Sequence, residues 1–198
     1  MGKNNFCERS KYYIEQPINS ITSIAFLFTC YFLWKLIETQ KIKKTQYPEF
    51  YVHIILLVLL TITTFGMHAT SDSSIWGKLD ISTMFLIIVY SLLINIKVIP
   101  YCSISISVLL TLLLNFFPKY LNLTTFAIVT TIWILSYLPN YNNRVFLGYF
   151  WFLIAIAVWL LDRYKIVCWP KSAFQLHSFW HIFSAIGFYY LFTYNIPI

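Results

Sequence analysis

Long apolar runs, separated by short polar segments, occupy most of this sequence and constrain its fold more than any other feature. A membrane-spanning helix needs roughly 20 mostly apolar residues, because the hydrocarbon core of a bilayer is about 30 Å thick. Seven such runs fit within the 198 residues. The predicted spans are 18–37, 50–69, 79–96, 99–117, 121–138, 145–162 and 173–194. We therefore predict a single membrane domain over residues 1–198.

The character of the runs favours helices. They are continuous in Leu, Ile and Phe and do not alternate with polar residues, as the strands of a membrane barrel would. Only 11% of the residues are charged, which is low for a soluble domain. The predicted fold class is all-α, a seven-transmembrane helical bundle. The least marked boundary lies near Pro100, where one long kinked helix over 79–117 is the alternative.

The basic residues are topology signals in this interpretation. The formal net charge is +7, but Lys and Arg lie in short clusters between apolar runs and form no amphipathic basic face, which argues against a nucleic-acid partner. With seven crossings, the count of Lys and Arg slightly favours an N-terminus inside the cell. The densest cluster, Lys41 to Lys44, favours the opposite orientation. Charge alone leaves the orientation open.

Histidines are the most informative polar residues, because ionisable side chains are costly within a membrane span. His177 and His181 lie four residues apart on the last predicted helix, so both rings project from one face and can share a zinc ion. The pair alone fits two hydrogen-bonded bundle residues equally well. Counting crossings adds His68, since the second span ends on the face where the seventh begins. Three histidines with one open position are typical of catalytic zinc.

His53 serves as a comparison for this argument. It lies near the start of the second predicted span, about four helical turns from His68 and so at the opposite side of the membrane. We expect it to be a headgroup-level histidine or one hydrogen-bonded inside the bundle, outside the metal site.

Two further residues are candidates for chemistry at the predicted zinc site. Asp80, at the start of the third span, could act as general base, or could instead orient one of the histidines. Thr64 lies one turn before His68, and its hydroxyl could donate to a developing oxyanion. A hydrogen bond from Thr64 to its own helix carbonyl is the structural alternative.

Several short motifs resemble the alkaline ceramidase family. This family belongs to a superfamily of seven-helix membrane hydrolases that also contains progestin and adiponectin receptor relatives. The matching stretches are Phe6-Cys7-Glu8 with Gln16 to Ser23, Thr64 to His68 with Leu79-Asp80, His177 to His181, and Asp162 with Cys168. Each motif is weak alone, and their combination carries the resemblance.

The resemblance implies a zinc amidase that hydrolyses ceramide or a related sphingolipid, with an N-terminus outside the cell or in a lumen. His68, His177 and His181 would bind zinc, Asp80 would activate water, and Thr64 would occupy an oxyanion-binding serine position. A receptor-like or lipid-binding protein with a structural zinc is the alternative from another functional class. A small transporter with histidine proton relays is a third, but no broken-helix repeat supports it.

A calcium site near the N-terminus is also implied by the resemblance. The matching positions are Asn5, Glu8, Ser10 and Gln16, of which only one carries a carboxylate. Calcium prefers six to eight oxygen ligands with some negative charge, so these residues disfavour the site.

The cysteines suggest one cross-link. Cys7 and Cys168 both fall on the N-terminal face when the crossings are counted. A disulfide between them is a hypothesis that requires an oxidising compartment on that face, and two unpaired thiols are the alternative.

Overall fold

A computed structural model of the chain describes residues 6–8, 13–41, 47–70, 73–116, 119–194 and 196. Over these ranges the regular secondary structure is entirely helical, which confirms the all-α prediction. The helices are α1 (Pro17–Thr22), α2 (Ala25–Thr39), α3 (Pro48–Ala69), α4 (Ser73–Asn95), α5 (Pro100–Leu114), α6 (Lys119–Leu135), a 3-10 helix (Leu138–Asn140), α7 (Asn143–Arg163) and α8 (Leu176–Phe192).

Within the part of the chain that the structure describes, four helical segments are long and apolar enough to cross a membrane. They are Pro17–Thr39, formed by α1 and α2 together, and then Pro48–Ala69, Ile75–Asn95 and Asn143–Arg163. The other three predicted spans correspond to α5, α6 and α8, which have 15, 17 and 17 residues. These lengths lie at or below the lower end of the range of roughly 17–25 residues for spanning helices. Seven crossings therefore stay a prediction.

The boundary near Pro100 separates two helices. Helix α4 ends at Asn95 and α5 begins at Pro100, so the alternative of one long kinked helix is wrong. Lys97, between them, has a φ of 68°, in the left-handed region that interrupts a right-handed helix. Proline is favoured at a helix start because its missing N–H would have no partner there. The chain reverses at this point, and α5 packs against α4.

The first predicted span contains a break that the sequence did not indicate. The N–H groups of Ser23 and Ile24 donate to carbonyls three residues earlier, a pattern that tightens the helix locally. The hydroxyls of Thr22 and Ser23 also donate to carbonyls of the preceding turn, and such bonds favour bending. Short helix α1 therefore forms its own packing unit, in contact with both α3 and α8.

Beside its apolar core, this bundle buries more polar side chains, and exposes more large apolar ones, than is usual for a water-soluble protein. Many polar side chains are buried, and many large apolar ones are exposed, as expected when lipid surrounds the helices. The buried polar residues include Asn19, Ser20, Ser23, Ser103, Ser107 and Asp162. The exposed apolar residues include Phe28, Ile55, Leu109, Phe150 and Leu153. This distribution supports the same membrane interpretation as the helix lengths.

Helices α7 and α8 approach each other closely through two glycines. A Cβ atom on Gly148 would lie 2.6 Å from Leu191 Cδ2, and one on Gly187 would lie 2.6 Å from Phe152 Cδ2. Small residues at helix interfaces allow such close approach, which increases van der Waals contact in the absence of water. This packing positions α8, whose first turns carry His177 and His181.

Substitution of Gly187 by alanine tests the close packing. Gly187→Ala is expected to destabilise the protein by about 1–3 kcal/mol, because the added methyl group overlaps the Phe152 ring. Gly77→Ala is the matched control, since its Cβ would meet only Met67 Cγ, at 4.0 Å. Thermal unfolding in detergent should show a lower Tm for Gly187→Ala and an unchanged or higher Tm for the control. Equal losses would contradict the described interface.

Candidate metal centre

Three histidines from distant parts of the chain meet at one end of the bundle. His68 lies in the last turn of α3, and His177 and His181 lie in the first turns of α8. The ring centroids are 4.8 Å apart for His68 and His177, 5.1 Å for His68 and His181, and 4.8 Å for the α8 pair. All three are buried, and one potential ligand atom of each lies within 4.8 Å of the others. This cluster could hold a metal ion.

The ring nitrogens fit such an ion. His68 Nε2 and His177 Nδ1 are buried without a hydrogen-bond partner among the described residues, although buried polar atoms are normally paired. Three atoms that lie within 4.8 Å of one another share a common point no more than about 2.8 Å from each. Zinc–imidazole bonds measure roughly 2.0–2.1 Å, so inward shifts of less than about 1 Å would complete the coordination.

Gln16 orients His68. Its side-chain Oε1 lies 2.6 Å from His68 Nδ1, and its backbone N–H donates to the His68 carbonyl at 3.1 Å. An amide oxygen can only accept, so Nδ1 carries the proton and Nε2 is left with a free lone pair. Hydrogen bonds of this kind fix the ring orientation of metal-binding histidines.

Thr22 performs the same role for His181. Its Oγ1 lies 3.1 Å from His181 Nδ1 and 2.9 Å from the Ile18 carbonyl oxygen. Because the hydroxyl donates to that carbonyl, it accepts from Nδ1, and His181 Nε2 is available as a ligand atom. Sequence reasoning assigned neither Gln16 nor Thr22 to the histidines. Both residues belong to the Gln16 to Ser23 motif, which comprises α1 and its two flanking residues, and this motif was the one sequence feature that could have indicated their role.

Thr64 and Asp80 form a buried pair, and Thr64 lies one helical turn before His68. Thr64 Oγ1 donates to Asp80 Oδ1 at 2.5 Å, so the alternative bond to its own helix carbonyl is not made. Asp80 forms no hydrogen bond with the three histidines; Gln16 bonds His68, and Thr22 bonds His181. It lies about two turns into α4, because that helix begins at Ser73 and not at 79 as predicted.

The segment of residues 6–8 packs against the histidines. The Phe6 ring centroid lies 3.9 Å from that of His177 and 5.5 Å from that of His68. Cys7 and Cys168 are joined by a disulfide, with their Cα atoms 5.4 Å apart, the pairing named in the sequence analysis. This link connects the segment before α1 to the loop before α8.

Glu8 and Gln16, two of the four matching calcium positions, have other partners here. The Glu8 carboxylate accepts hydrogen bonds from the N–H groups of Ile18, at 2.7 Å, and Asn19, at 2.9 Å. Burial raises the pKa of Glu8, and those two N–H groups partly oppose the shift. Gln16 bonds His68, while Asn5 and Ser10 lie outside the described residues. The calcium site stays an untested prediction.

His53 lies away from the cluster, near the opposite end of α3. Its Nε2 is 3.0 Å from Ser91 Oγ, and its ring stacks on Phe192 with the centroids 3.9 Å apart. His53 is therefore a hydrogen-bonded histidine in the bundle interior, one of the two environments expected from the sequence.

Neither a protein-family model nor a curated protein matches this chain. A functional interpretation therefore depends on the geometry of the site and on the motif resemblance.

Loss of an orienting hydrogen bond should weaken metal binding. We expect Gln16→Ala to lower zinc affinity about 10- to 100-fold, because His68 would no longer be held in its ligating orientation. Thr22→Val should act similarly through His181. Gln40→Ala, at an exposed position, is the control. Competition with a chromophoric chelator measures the affinities, and wild-type affinity in both site variants would refute the orienting roles.

Proposed function

We propose that this protein is a zinc-dependent intramembrane amidase that hydrolyses the amide bond of ceramide or a related sphingolipid. The observation that carries the proposal is the buried trio His68, His177 and His181 beside a hydrogen-bonded Thr64–Asp80 pair. The resemblance to alkaline ceramidase motifs supports it. In this proposal the helical segments form seven crossings and the N-terminus lies outside or in a lumen.

Zinc is the proposed ion because three imidazoles with one open position form a frequent set of catalytic zinc ligands. His68 and His181 would bind through Nε2, and His177 through Nδ1. When bound, zinc supplies a Lewis acid that polarises a carbonyl group and makes water more acidic.

Asp80 is the proposed general base and acid. Its Oδ1 accepts the Thr64 hydrogen bond, which leaves Oδ2 to take a proton from the attacking water. The protonated carboxyl then delivers that proton to the nitrogen of the leaving amine. Thr64 lies about 6 Å before His68 along α3, so the carboxyl group that it binds is about one helical turn from a potential metal ligand, which suits this role.

Thr64 has two successive roles in the proposal. While Asp80 is ionised, the hydroxyl donates to it and holds the carboxylate in one orientation. Once Asp80 is protonated on Oδ2, its Oδ1 is a weaker acceptor, and the hydroxyl can turn its hydrogen toward the oxyanion of the substrate. The oxyanion role therefore follows the proton transfer and does not precede it.

A groove between α2 and α8 supports a lipid substrate. Its volume is about 870 Å³, and its lining residues are apolar apart from two threonines and two tyrosines. It begins beside Thr22, which contacts His181, and continues to Phe32 and Tyr189. Ten helical residues span about 15 Å, half the thickness of the hydrocarbon core. A hydrocarbon chain from one leaflet fits this length and polarity.

The disulfide supports the proposed orientation. Cys7 and Cys168 lie at the same end of the bundle as the histidines. Disulfides persist in oxidising compartments, so this end would face the lumen or the cell exterior.

Metal analysis combined with a ceramide hydrolysis assay tests the proposal. The purified protein should contain about one zinc per chain and release fatty acid from ceramide, measured by mass spectrometry. Asp80→Asn should keep the zinc but lower turnover roughly 10²- to 10⁴-fold, because it removes the proton shuttle. His181→Ala should lose both, and His53→Gln, away from the cluster, should keep both.

The same assay distinguishes the amidase from the alternative function. A protein that binds zinc but releases no fatty acid from amide lipids would be the receptor-like or lipid-binding alternative with a structural metal. Ceramide hydrolysis that survives His181→Ala would contradict the metal-dependent mechanism.

A further inference from the structure

We propose that Phe6 covers the histidine cluster, and that the Cys7–Cys168 disulfide holds it there and so slows the exchange of bound metal. This inference rests on the metal-binding part of the proposed function. It assigns a positioning role to a residue that makes no polar contact with the site.

The contacts of Phe6 define the cover. Its ring lies against that of His177, with centroids 3.9 Å apart and planes inclined by 43°. It also reaches His68, at 5.5 Å. His177 Nδ1 nevertheless has no described hydrogen-bond partner, and a phenyl ring cannot supply one. The ring is itself buried, so it fills the space next to two of the three potential ligands.

Three anchors around Phe6 fix its place. Cys7 is bonded to Cys168 in the loop before α8, and the Cys7 N–H donates to Asp162 Oδ2 on α7 at 3.4 Å. Glu8 accepts from two N–H groups of α1. The segment is thus attached to α1, to α7 and to the loop before α8, although Phe6 contributes only apolar contact.

A metal ion held beneath Phe6 exchanges only when water or a competing ligand reaches the histidines. The ring must first leave His177, and the disulfide opposes that movement by tying the adjacent residue to the loop before α8. The groove between α2 and α8 lies instead at Thr22, which contacts His181. Because the lining of that groove is largely apolar and includes no histidine, it suits a lipid chain and not a charged chelator, which would approach His177 past Phe6.

Zinc release from the full-length protein tests the cover. The zinc-loaded protein in detergent is mixed with excess chelator, and the release rate is followed. Phe6→Ala should release zinc about tenfold faster, the factor that corresponds to loss of an aromatic contact of this size. Phe6→Leu keeps an apolar side chain, so its zinc release rate should lie between those of the wild type and Phe6→Ala. Phe116→Ala, at a position 85% exposed, is the matched control and should match the wild type.

A double variant tests the link to the disulfide. Cys168→Ser should also speed zinc release, and adding Phe6→Ala to it should produce little further change, because the cover is already free. If the rate increase of the double variant equals the product of the two single-variant increases, the disulfide does not act through Phe6, and this link is overturned. If Cys168→Ser does not fold, the Phe6→Ala rate decides the inference alone.

The outcomes separate this inference from the proposed function. A wild type that binds zinc and a Phe6→Ala variant with an unchanged release rate would overturn the cover and leave the amidase proposal standing. A wild type that binds no zinc would overturn both. Thermal unfolding of the metal-free proteins tests whether faster release reflects a general loss of stability. Phe6→Ala should speed zinc release while leaving the Tm of the metal-free protein close to that of the wild type.

Discussion

Polar groups inside an apolar bundle must find partners within the protein, and the packing of α1 between α3 and α8 supplies one ring nitrogen each of His68 and His181 with a partner. The short helix carries Thr22 to His181, and the residue that precedes it, Gln16, reaches His68. Each bond uses one ring nitrogen and leaves the other unprotonated. Without α1, the same histidines would be buried polar side chains with no defined orientation.

The surroundings of the cluster differ between its two sides. At the end of the bundle, Phe6 and the disulfide pack over the histidines, and Glu8 ties this segment to α1. Along the bundle, the groove beside Thr22 is lined by apolar side chains and follows α2 and α8. An apolar groove that ends at Thr22, the partner of His181, suits a reactant that arrives from lipid, which is why the proposed substrate is a membrane amide.

Asp80 links the metal site to its proposed chemistry. The carboxyl group is buried, hydrogen-bonded to Thr64 and separate from the three potential ligands. Burial of an ionisable group without a base as partner is costly within a bundle, and such groups commonly mark functional sites. A site that only stabilised the fold would have little need of such a carboxyl, so the role of Asp80 is the point on which the two proposed functional classes differ.

Local features of the sequence determined the helical class and the shared face of His177 and His181, because apolar runs and four-residue spacing act within one helix. The sequence left the boundary near Pro100 open, and the structure divides this region into α4 and α5. Counting crossings placed His68 at the same end, but a count predicts depth and not distance. The tertiary structure alone decided the partners: Gln16 lies 52 residues from His68, and Thr22 lies 159 from His181. A threonine hydroxyl can bond its own helix or a neighbour, and only the placement of α4 directs Thr64 to Asp80.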